Sequence, residues 1–494
     1  MCLYVWYKSF KTNIISKFYG WKMSLKLSFL LLLPLLFFSA CVPKIETQKP
    51  LQKLDIKNDI EKNGAISDSA KLKADWYKDY GDTQLDKIIA FTLKDSPSIK
   101  SIEAKYAQAN SIIASTQAAN LPSVSANAAL SRERFSENYI FPPPLGGGTE
   151  SLYQTGLSLN YDFDFWNSRG SKIQSAKYSA MAQKAYIDEV KLLLSTTICE
   201  IYLSWDFDEK RVQVLLELKT LLIQEENICY KNLKSGLSDA SLLNTKKSEI
   251  AQIERQIQML KRSIEGKKES IAILGGFMPS VADKWKTPNI KSFKAPLPRE
   301  VVLNLIAHRA DITVQKYIVL SKGQNIENAK AQFYPNISLS AMIGFVSFDL
   351  AKFLGYSSFA PSSGVAFSLP LFDGGERKAN LSIQTSDYNS SVNDYNNVVI
   401  KAANEVVATL KKSKIVDSEL DLHVKEVEAK EFNVQIAQQK FSAGLTNKLP
   451  YLQAQREVTL AGLNEVDLHD AKALLEVHLI KALGGGFEDK NVTK

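Results

Sequence analysis

Few side chains in this sequence could do chemistry, and their spacing argues against most of it. The 494 residues contain four histidines, His308, His423, His469 and His478. A helical metal site places two ligands about three or four positions apart, and His469 and His478 do not have that spacing. His423 reads as a residue on a solvated helix face. Cys199 and Cys229 sit 30 positions apart in a stretch free of Gly and Pro. If that stretch is one helix, they are about 45 Å apart, far beyond the ~4.4–6.8 Å Cα separation of a disulfide. They read as core residues. Glu225-Glu226 reads as a solvated face. Gly146-Gly147-Gly148 lies in a Pro-rich loop and does not follow a strand, so it forms no phosphate cradle. The sequence reads as a non-enzyme with no metal and no cofactor.

One residue does have a chemistry of its own. Lys22 and Lys26 flank Met23, an apolar run of about a dozen residues follows to Phe38, and small residues Ser39 and Ala40 precede Cys41. This is signal-peptide grammar over 1–40, with Met23 as an alternative start. The run is too short to cross about 30 Å of hydrocarbon as a helix. Phe38-Ser39-Ala40-Cys41 resembles the bacterial lipobox, whose cysteine is acylated and becomes the new N-terminus; Leu is commoner where Phe38 stands. The resemblance implies a covalent lipid on Cys41. Val42, in place of the Asp that retains such proteins in the inner membrane, implies sorting to the outer membrane. The leader also holds five of the 61 basic residues and no acid. The remaining 56 bases nearly balance the 53 acids, so the net charge of +8 gives no reason to expect a nucleic-acid partner.

The larger organisation is a duplication. Gly236-Leu237-Ser238-Asp239 returns 208 positions later as Gly444-Leu445-Thr446-Asn447, and Leu274-Gly275-Gly276-Phe277 returns at 483–487. Arg169 maps onto Arg377, Phe165 onto Phe372 and Pro122 onto Pro335. This period is far longer than that of a solenoid repeat. The expected division is a polar, lipid-anchored segment over 41–74, a first repeat over 75–277, a connector over 278–297, a second repeat over 298–487, and a flexible tail over 488–494.

Each repeat changes period twice. From Tyr153 to Phe165 the odd positions are almost all apolar, and the even ones are Gln154, Gly156, Ser158, Asn160, Asp162 and Asp164. That is a strand with one greasy and one wet face. The expected strands are 124–136, 151–165, 336–348 and 362–372. Helical patterns occupy 82–95 and 98–119. No Gly or Pro interrupts Ser171–Ser235 or Glu376–Ala443, which predicts two helices of about 100 Å each, over 167–235 and 375–443. Their apolar residues follow coiled-coil-like spacing. Gly236 and Gly444 suit left-handed C-caps. Ser238 and Thr446 are the expected N-caps of return helices over 239–273 and 447–483, with Pro450 in the first turn of the second.

Four amphipathic strands cannot close a barrel, yet only helices and closed barrels span a bilayer. Two copies would give eight strands, whose interior is filled by side chains. Three would give twelve, wide enough for a lumen lined by Asn160, Asp162 and Asp164, with the long helices continuing the wall as a helical barrel.

The sequence resembles the TolC/OprM outer-membrane-factor family in its lipoprotein branch. The resemblance rests on Trp76-Tyr77-Lys78-Asp79-Tyr80-Gly81-Asp82 with Leu85, and on Arg309-Ala310-Asp311-Ile312, where Ala310 replaces a usual Pro. Ala331-Gln332-Phe333-Tyr334-Pro335 and Phe372-Asp373-Gly374-Gly375 add to it, and the match covers roughly 75–486. It implies a mixed fold, mostly α: a homotrimeric twelve-stranded barrel in the cell outer membrane, among its lipids, continued by a helical periplasmic barrel. It further implies a passive exit duct for small molecules, docked to a periplasmic membrane-fusion adaptor and an inner-membrane transporter of the RND type. The tips Gly236, Leu237, Ser238, Asp239, Gly444, Leu445, Thr446 and Asn447 match the adaptor-facing end. Family members place acids after the second tip; here Lys448, Pro450 and Gln453 stand there. The aperture candidates are therefore Lys448, Gln453 and Asp239. Two other readings stay open: the outer-membrane part of a type I protein-secretion system, and a lipid-anchored periplasmic coiled-coil spacer.

Overall fold

The computed structural model describes residues 46–49, 75–138, 140–290 and 309–487. Cys41, the leader, nearly all of 41–74, His308, part of the connector over 278–297 and the tail over 488–494 lie outside these residues. The chain divides into two compact units. Their described parts are a strand-bearing unit over 46, 122–138, 140–168 and 327–382 and a helical unit over 47–49, 75–121, 169–290, 309–326 and 383–487.

The first unit is a four-stranded antiparallel sheet in the order β1 (Ser123–Arg134), β2 (Thr149–Phe163), β3 (Asn336–Ser347), β4 (Ser362–Ser368). The alternation of side chains brings these strands about. All four stop short of the expected ends at 136, 165, 348 and 372, β4 by the most. β4 ends before Pro370, which has no N–H to give a ladder. β2 ends at Phe163, so Asp164 lies past the strand and not on its wet face. The loop after β3 holds two short 3-10 turns, Leu350–Lys352 and Tyr356–Ser358.

The helical elements are α1 (Thr83–Asp95), α2 (Pro97–Ala118), α3 (Ser168–Lys234), α4 (Ala240–Gly275), the single turn α5 (Pro279–Ala282), α6 (Ala310–Ala331), α7 (Glu376–Ser442) and α8 (Leu449–Ala482). α3 and α7 are both 67 residues long, about 100 Å at 1.5 Å per residue. Nothing in their sequence breaks the backbone ladder, and an apolar seam pays for their order. In α4 the seam is heptadic: Leu243, Ile250, Ile257, Ile264 and Ile271 fall on one line, and Ile257, Ile264 and Ile271 share a buried cluster with Leu215, Leu218 and Leu222 of α3.

Cross-helix ion pairs join α3 to α4 and to α8, α8 to α7, and α8 back to α4, where Arg456 meets Glu249 at 3.3 Å. Lys219 meets Glu254 at 2.8 Å, Arg211 meets Asp467 at 2.7 Å and Asp470 at 2.8 Å, and Lys472 meets Asp417 at 2.7 Å. The Trp-rich segment seals one end of the core. Trp76, Tyr77 and Tyr80 are buried beside Tyr202 and Trp205. Asp82 caps α1 by accepting from Gln84 N at 2.7 Å, and its other oxygen accepts from Tyr202 Oη and Asn289 N, both at 2.9 Å. Cys199 and Cys229 are buried free thiols, and burial pushes the Cys199 pKa well up. They belong to the core.

The Arg-Ala-Asp-Ile segment is a clamp. Arg309 grips both oxygens of Asp311 at 3.0 and 2.8 Å, and reaches Glu405 of α7 and the Ala482 carbonyl of α8, each at 2.9 Å. Burial works against its charge, but these partners outweigh it and raise its pKa. One guanidinium thus ties the start of α6 to two other helices, which is the use of a planar five-donor fork.

Candidate functional site: a two-faced sheet and two hairpin tips

Cross-strand partners share a face, so the register sorts every side chain in the sheet. Val124 pairs with Leu159, Ala126 with Leu157 and Leu130 with Tyr153. Leu157 pairs with Ile343, Tyr161 with Leu339 and Phe163 with Ile337. Ile337 pairs with Phe367, and Leu339 with Val365. The apolar positions of four strands therefore fall on one surface. The other surface carries Ser125 opposite Ser158, Asn160 opposite Ser340 and Asp162 opposite Ser338. Asn127 Nδ2 also donates to Ser158 Oγ at 3.0 Å. Asn160 and Asp162 thus share the wet surface. Among the described residues the greasy surface has no cover: Val124, Leu130 and Val365 are 65%, 67% and 69% exposed. The outer edges of β1 and β4 have no strand beside them among the described residues.

Gly156 and Gly344 face each other in the middle of the wet surface. A β-carbon on Gly156 would stand 2.7 Å from the Ile343 carbonyl oxygen, and one on Gly344 would stand 2.8 Å from Gly156 Cα and closer still to the Thr155 oxygen. Only glycine permits this approach of β2 and β3.

The two hairpin tips are built alike. Gly236 and Gly444 have φ of 71° and 69°, the left-handed conformation that ends a helix. The capping residues differ from expectation. Asp239, not Ser238, caps α4, accepting from Ser241 N at 2.9 Å. At the second tip Asn447, not Thr446, accepts from Leu449 N at 3.0 Å. An Asp or Asn oxygen closes the short i to i+2 ring readily, and Asp239 and Asn447 are themselves 208 positions apart. Leu237 and Leu445 are exposed at the tips. Lys448 Nζ reaches Gln224 Oε1 at 3.3 Å, and Gln453 is exposed.

Two other expectations fail above the tips. Glu225 is fully buried, with Lys246 Nζ at 2.8 Å and Arg456 at 3.7 Å. It occupies the core seam that Leu215, Leu218, Leu222 and Cys229 also define, a position the acidic pair Glu225-Glu226 hid. Burial opposes the charge of Lys246, but Glu225 and Glu249 raise its pKa. His423 is buried too, with Nδ1 3.5 Å from Glu426. It falls on the line of Val416, Leu420 and Val427 along α7 and not on a solvated face. Among the described residues no group of His, Cys, Asp or Glu could hold a metal ion, and no helix is long and apolar enough to cross a membrane.

A model of the family described as outer membrane efflux protein matches residues 89–265 and again 301–485. The chain belongs to the outer membrane efflux protein family. The double match follows the duplicated repeats, and the place of the protein is the outer membrane. The multidrug resistance outer membrane protein MdtP of Escherichia coli strain K12 is 25% identical over 445 residues, 88% of this chain and 90% of MdtP. The structure of VceC from Vibrio cholerae is similar with a TM-score of 0.78 at 26% identity, covering 84% of this chain and 100% of VceC. The Campylobacter jejuni CmeC channel has a TM-score of 0.80 at 20% identity, covering 91% and 97%. The fold is thus the mostly helical fold, with a small four-stranded antiparallel sheet, of these outer-membrane channels.

Proposed function

We propose that this chain is the trimeric exit duct of a tripartite efflux pump, carrying small molecules out of the cell. The observation that carries the reading is the register of the sheet. One continuous greasy face, one continuous wet face and two open edges fit a wall segment that other copies must complete. Three copies of four strands give twelve, wide enough for a water-filled lumen where eight would be filled by side chains. The greasy face meets lipid, and the wet face with Asn160 and Asp162 meets the cargo stream. Nothing is bound and transformed; a passive duct needs an uninterrupted polar wall and a partner that supplies energy.

The finer roles follow from the same reading. Cys41 carries the lipid. The tips Gly236–Asp239 and Gly444–Asn447 receive a periplasmic adaptor, whose own partner is an inner-membrane transporter of the RND type. Lys448, Gln453 and Asp239 stand at the periplasmic aperture. Small-molecule cargo is favoured over secreted protein by the multidrug-resistance name of MdtP.

Electron microscopy and single-channel recording of the detergent-extracted protein test the core of this reading. A hollow threefold particle with stable conductance supports it. A solid rod without conductance would sink it in favour of a periplasmic spacer. Growth assays in an efflux-deficient Gram-negative host, with a cognate adaptor and pump, then test the cargo: restored drug tolerance is expected.

A further inference from the structure

The four strands carry five charged residues, and the register separates them by sign. Glu133 stands opposite Glu150 and Asp162 opposite Ser338, so all the acids belong to the wet surface. Arg132 pairs with Ser151 and Arg134 with Thr149. They follow Val124, Ala126, Ala128 and Leu130 on the alternate positions of β1, so both bases belong to the greasy surface. Arg132, Glu133 and Arg134 are consecutive, and the pleat of the strand parts them. Among the described strand residues these two arginines are the only charges on the surface that faces lipid.

Their height on that surface gives them a use. Both lie at the loop end of the sheet, away from the strand ends that adjoin α2, α3, α6 and α7 in the chain. Aromatic residues mark the two edges of the apolar band. Tyr161 and Phe163 stand at the helix end, their ring centroids 5.0 Å apart. Tyr153 stands at the loop end with the Phe353 ring 5.8 Å away, and Phe345 lies 5.9 Å from Phe359. Tyr153 and Phe163 are ten positions apart in β2, about 33 Å along the strand. At the usual barrel tilt that is about 25 Å of height, the height of a lipid-facing band between aromatic girdles. Leu130 is level with Tyr153, so Arg132 and Arg134 stand just beyond the band, at headgroup depth. Arginine is tolerated at that depth and penalised at the bilayer midplane.

The patch is rich in donors and poor in acids. Arg132 is exposed, and among the described residues it has no ion pair. Arg134 meets only Glu137, at 4.0 Å, with both side chains more than two-thirds exposed. The strand opposite supplies hydroxyls, Ser151 and Thr149. Lys352, the neighbour of Phe353, is exposed and meets only Asp349, at 3.8 Å. Arg132 and Arg134 leave one face of one strand about 7 Å apart, and each guanidinium can grip a phosphate through paired N–H donors. We infer that Arg132 and Arg134 hold the phosphates of an outer-leaflet lipid headgroup whose acyl chains lie on the greasy surface. The occupant follows from continuity, since a molecule at this height on a lipid-facing wall has its chains on the apolar band and its head at the arginines. The inference rests on the duct reading above, which puts the helices in the periplasm and the strand loops outside.

The experiment titrates the detergent-extracted full-length protein with diphosphorylated lipid A and counts bound lipid by native mass spectrometry. Wild type should bind the lipid saturably. Arg132→Gln with Arg134→Gln should weaken binding roughly thirtyfold, the loss expected for two bases at an anionic surface. Lys87→Gln with Lys105→Gln removes the same charge from exposed sites of the helical unit and should bind like wild type. Equal loss in that control would reduce the effect to net charge and overturn the site. So would equal binding of a fully dephosphorylated lipid A to wild type, a comparison that stands even where a variant fails to assemble. Inorganic phosphate alone should show no saturable binding by calorimetry; if it does, the arginines serve free phosphate and the lipid assignment is overturned. Single-channel conductance in planar bilayers reports whether the barrel forms. A wild type without conductance would remove the duct reading and this inference with it. A conducting wild type that binds no lipid A would overturn this inference alone.

Discussion

The sheet and the helical layer solve opposite problems with similar raw material. Both are amphipathic, with periods of two and three and a half. The helical layer buries its apolar seam inside one chain: Ile198, Trp205, Ile271 and Ile480 have no exposed surface. The sheet buries almost nothing, and its apolar face stays more than half exposed at Val124, Leu130, Leu157 and Val365. The helices therefore carry a core of their own, whereas the sheet waits for lipid and for further copies. A single chain can fold as a helical layer first and complete its sheet only on assembly in the membrane.

The largest effect that would break this comparison is expected at Gly344. Gly344→Val sets side-chain atoms against the Thr155 carbonyl and Gly156, so β2 and β3 cannot keep their spacing. Overpacking costs about 1–3 kcal/mol or more, and the sheet has no core to absorb it. Heat-modifiable trimer and drug tolerance should be lost, while the far-ultraviolet helical signal of the purified protein stays near wild type. Equal loss of helical signal would mean that the two units fold as one.

The reverse perturbation is Arg309→Met. It takes the guanidinium from Asp311, which keeps only the Ile312 N–H at 2.9 Å, and from the Ala482 carbonyl. Removing one partner of a buried pair costs about 3–5 kcal/mol, and the lower end applies because Glu405 is half exposed. The thermal midpoint of the helical signal should fall by several degrees, and Arg309→Lys should rescue little, because an ammonium cannot grip Asp311 with two parallel bonds.

Much of this was legible in the sequence, for reasons that also explain what was not. Period-two alternation and the Gly- and Pro-free runs over 171–235 and 376–443 are local signals, and they announce the strands and the long helices. The family resemblance was legible in Trp76 to Asp82 and Arg309 to Ile312, but the work those residues do was not. The three-way grip of Arg309 depends on residues about 100 and 170 positions away. Glu225 and His423 were misread for one reason: a polar residue on a core line looks like a solvated one until the neighbouring helices are in place. The wet-face position of Asp162 follows from alternation, whereas the loss of Asp164 from the strand follows from where the ladder stops. Ser238 and Thr446 looked like caps, but the residue one place later has the better reach.

A smaller effect sharpens the comparison between the two tips. Asp239→Ala removes an N-cap bond, worth about 0.5–2 kcal/mol, and Asn447→Ala removes the turn bond from Leu449 N just ahead of the α8 cap. The first hairpin has a buried core down to Leu222, Cys229 and Leu243, whereas α7 beyond His423 is largely exposed. Fraying should therefore spread further from the second tip. Amide hydrogen exchange should show lost protection over more of α7 and α8 in Asn447→Ala than over α3 and α4 in Asp239→Ala. Equal spread would show that the core of the first hairpin does not reach its tip in effect.

The last effect is one of pH, confined to the helical layer. Burial, with Asp417 nearby, raises the Glu476 pKa to about 7 from its ordinary 4.5, against the opposing pull of Lys472. The folded form then holds a proton that the unfolded form gives up. Stability from this group is complete below about pH 4.5 and is lost as pH rises through about 7, because the slope follows the excess of protons bound by the folded state. Glu476→Gln keeps the neutral shape and removes the titration. Its melting temperature should match wild type near pH 4.5 and exceed it near pH 8, with Lys472 and Asp417 still joined at 2.7 Å. A wild type that gains on the variant as pH rises would place the Glu476 carboxylate in a better-solvated site than its burial implies. The sheet should show no such dependence, since Glu476 belongs to α8 and the sheet owes its stability to assembly.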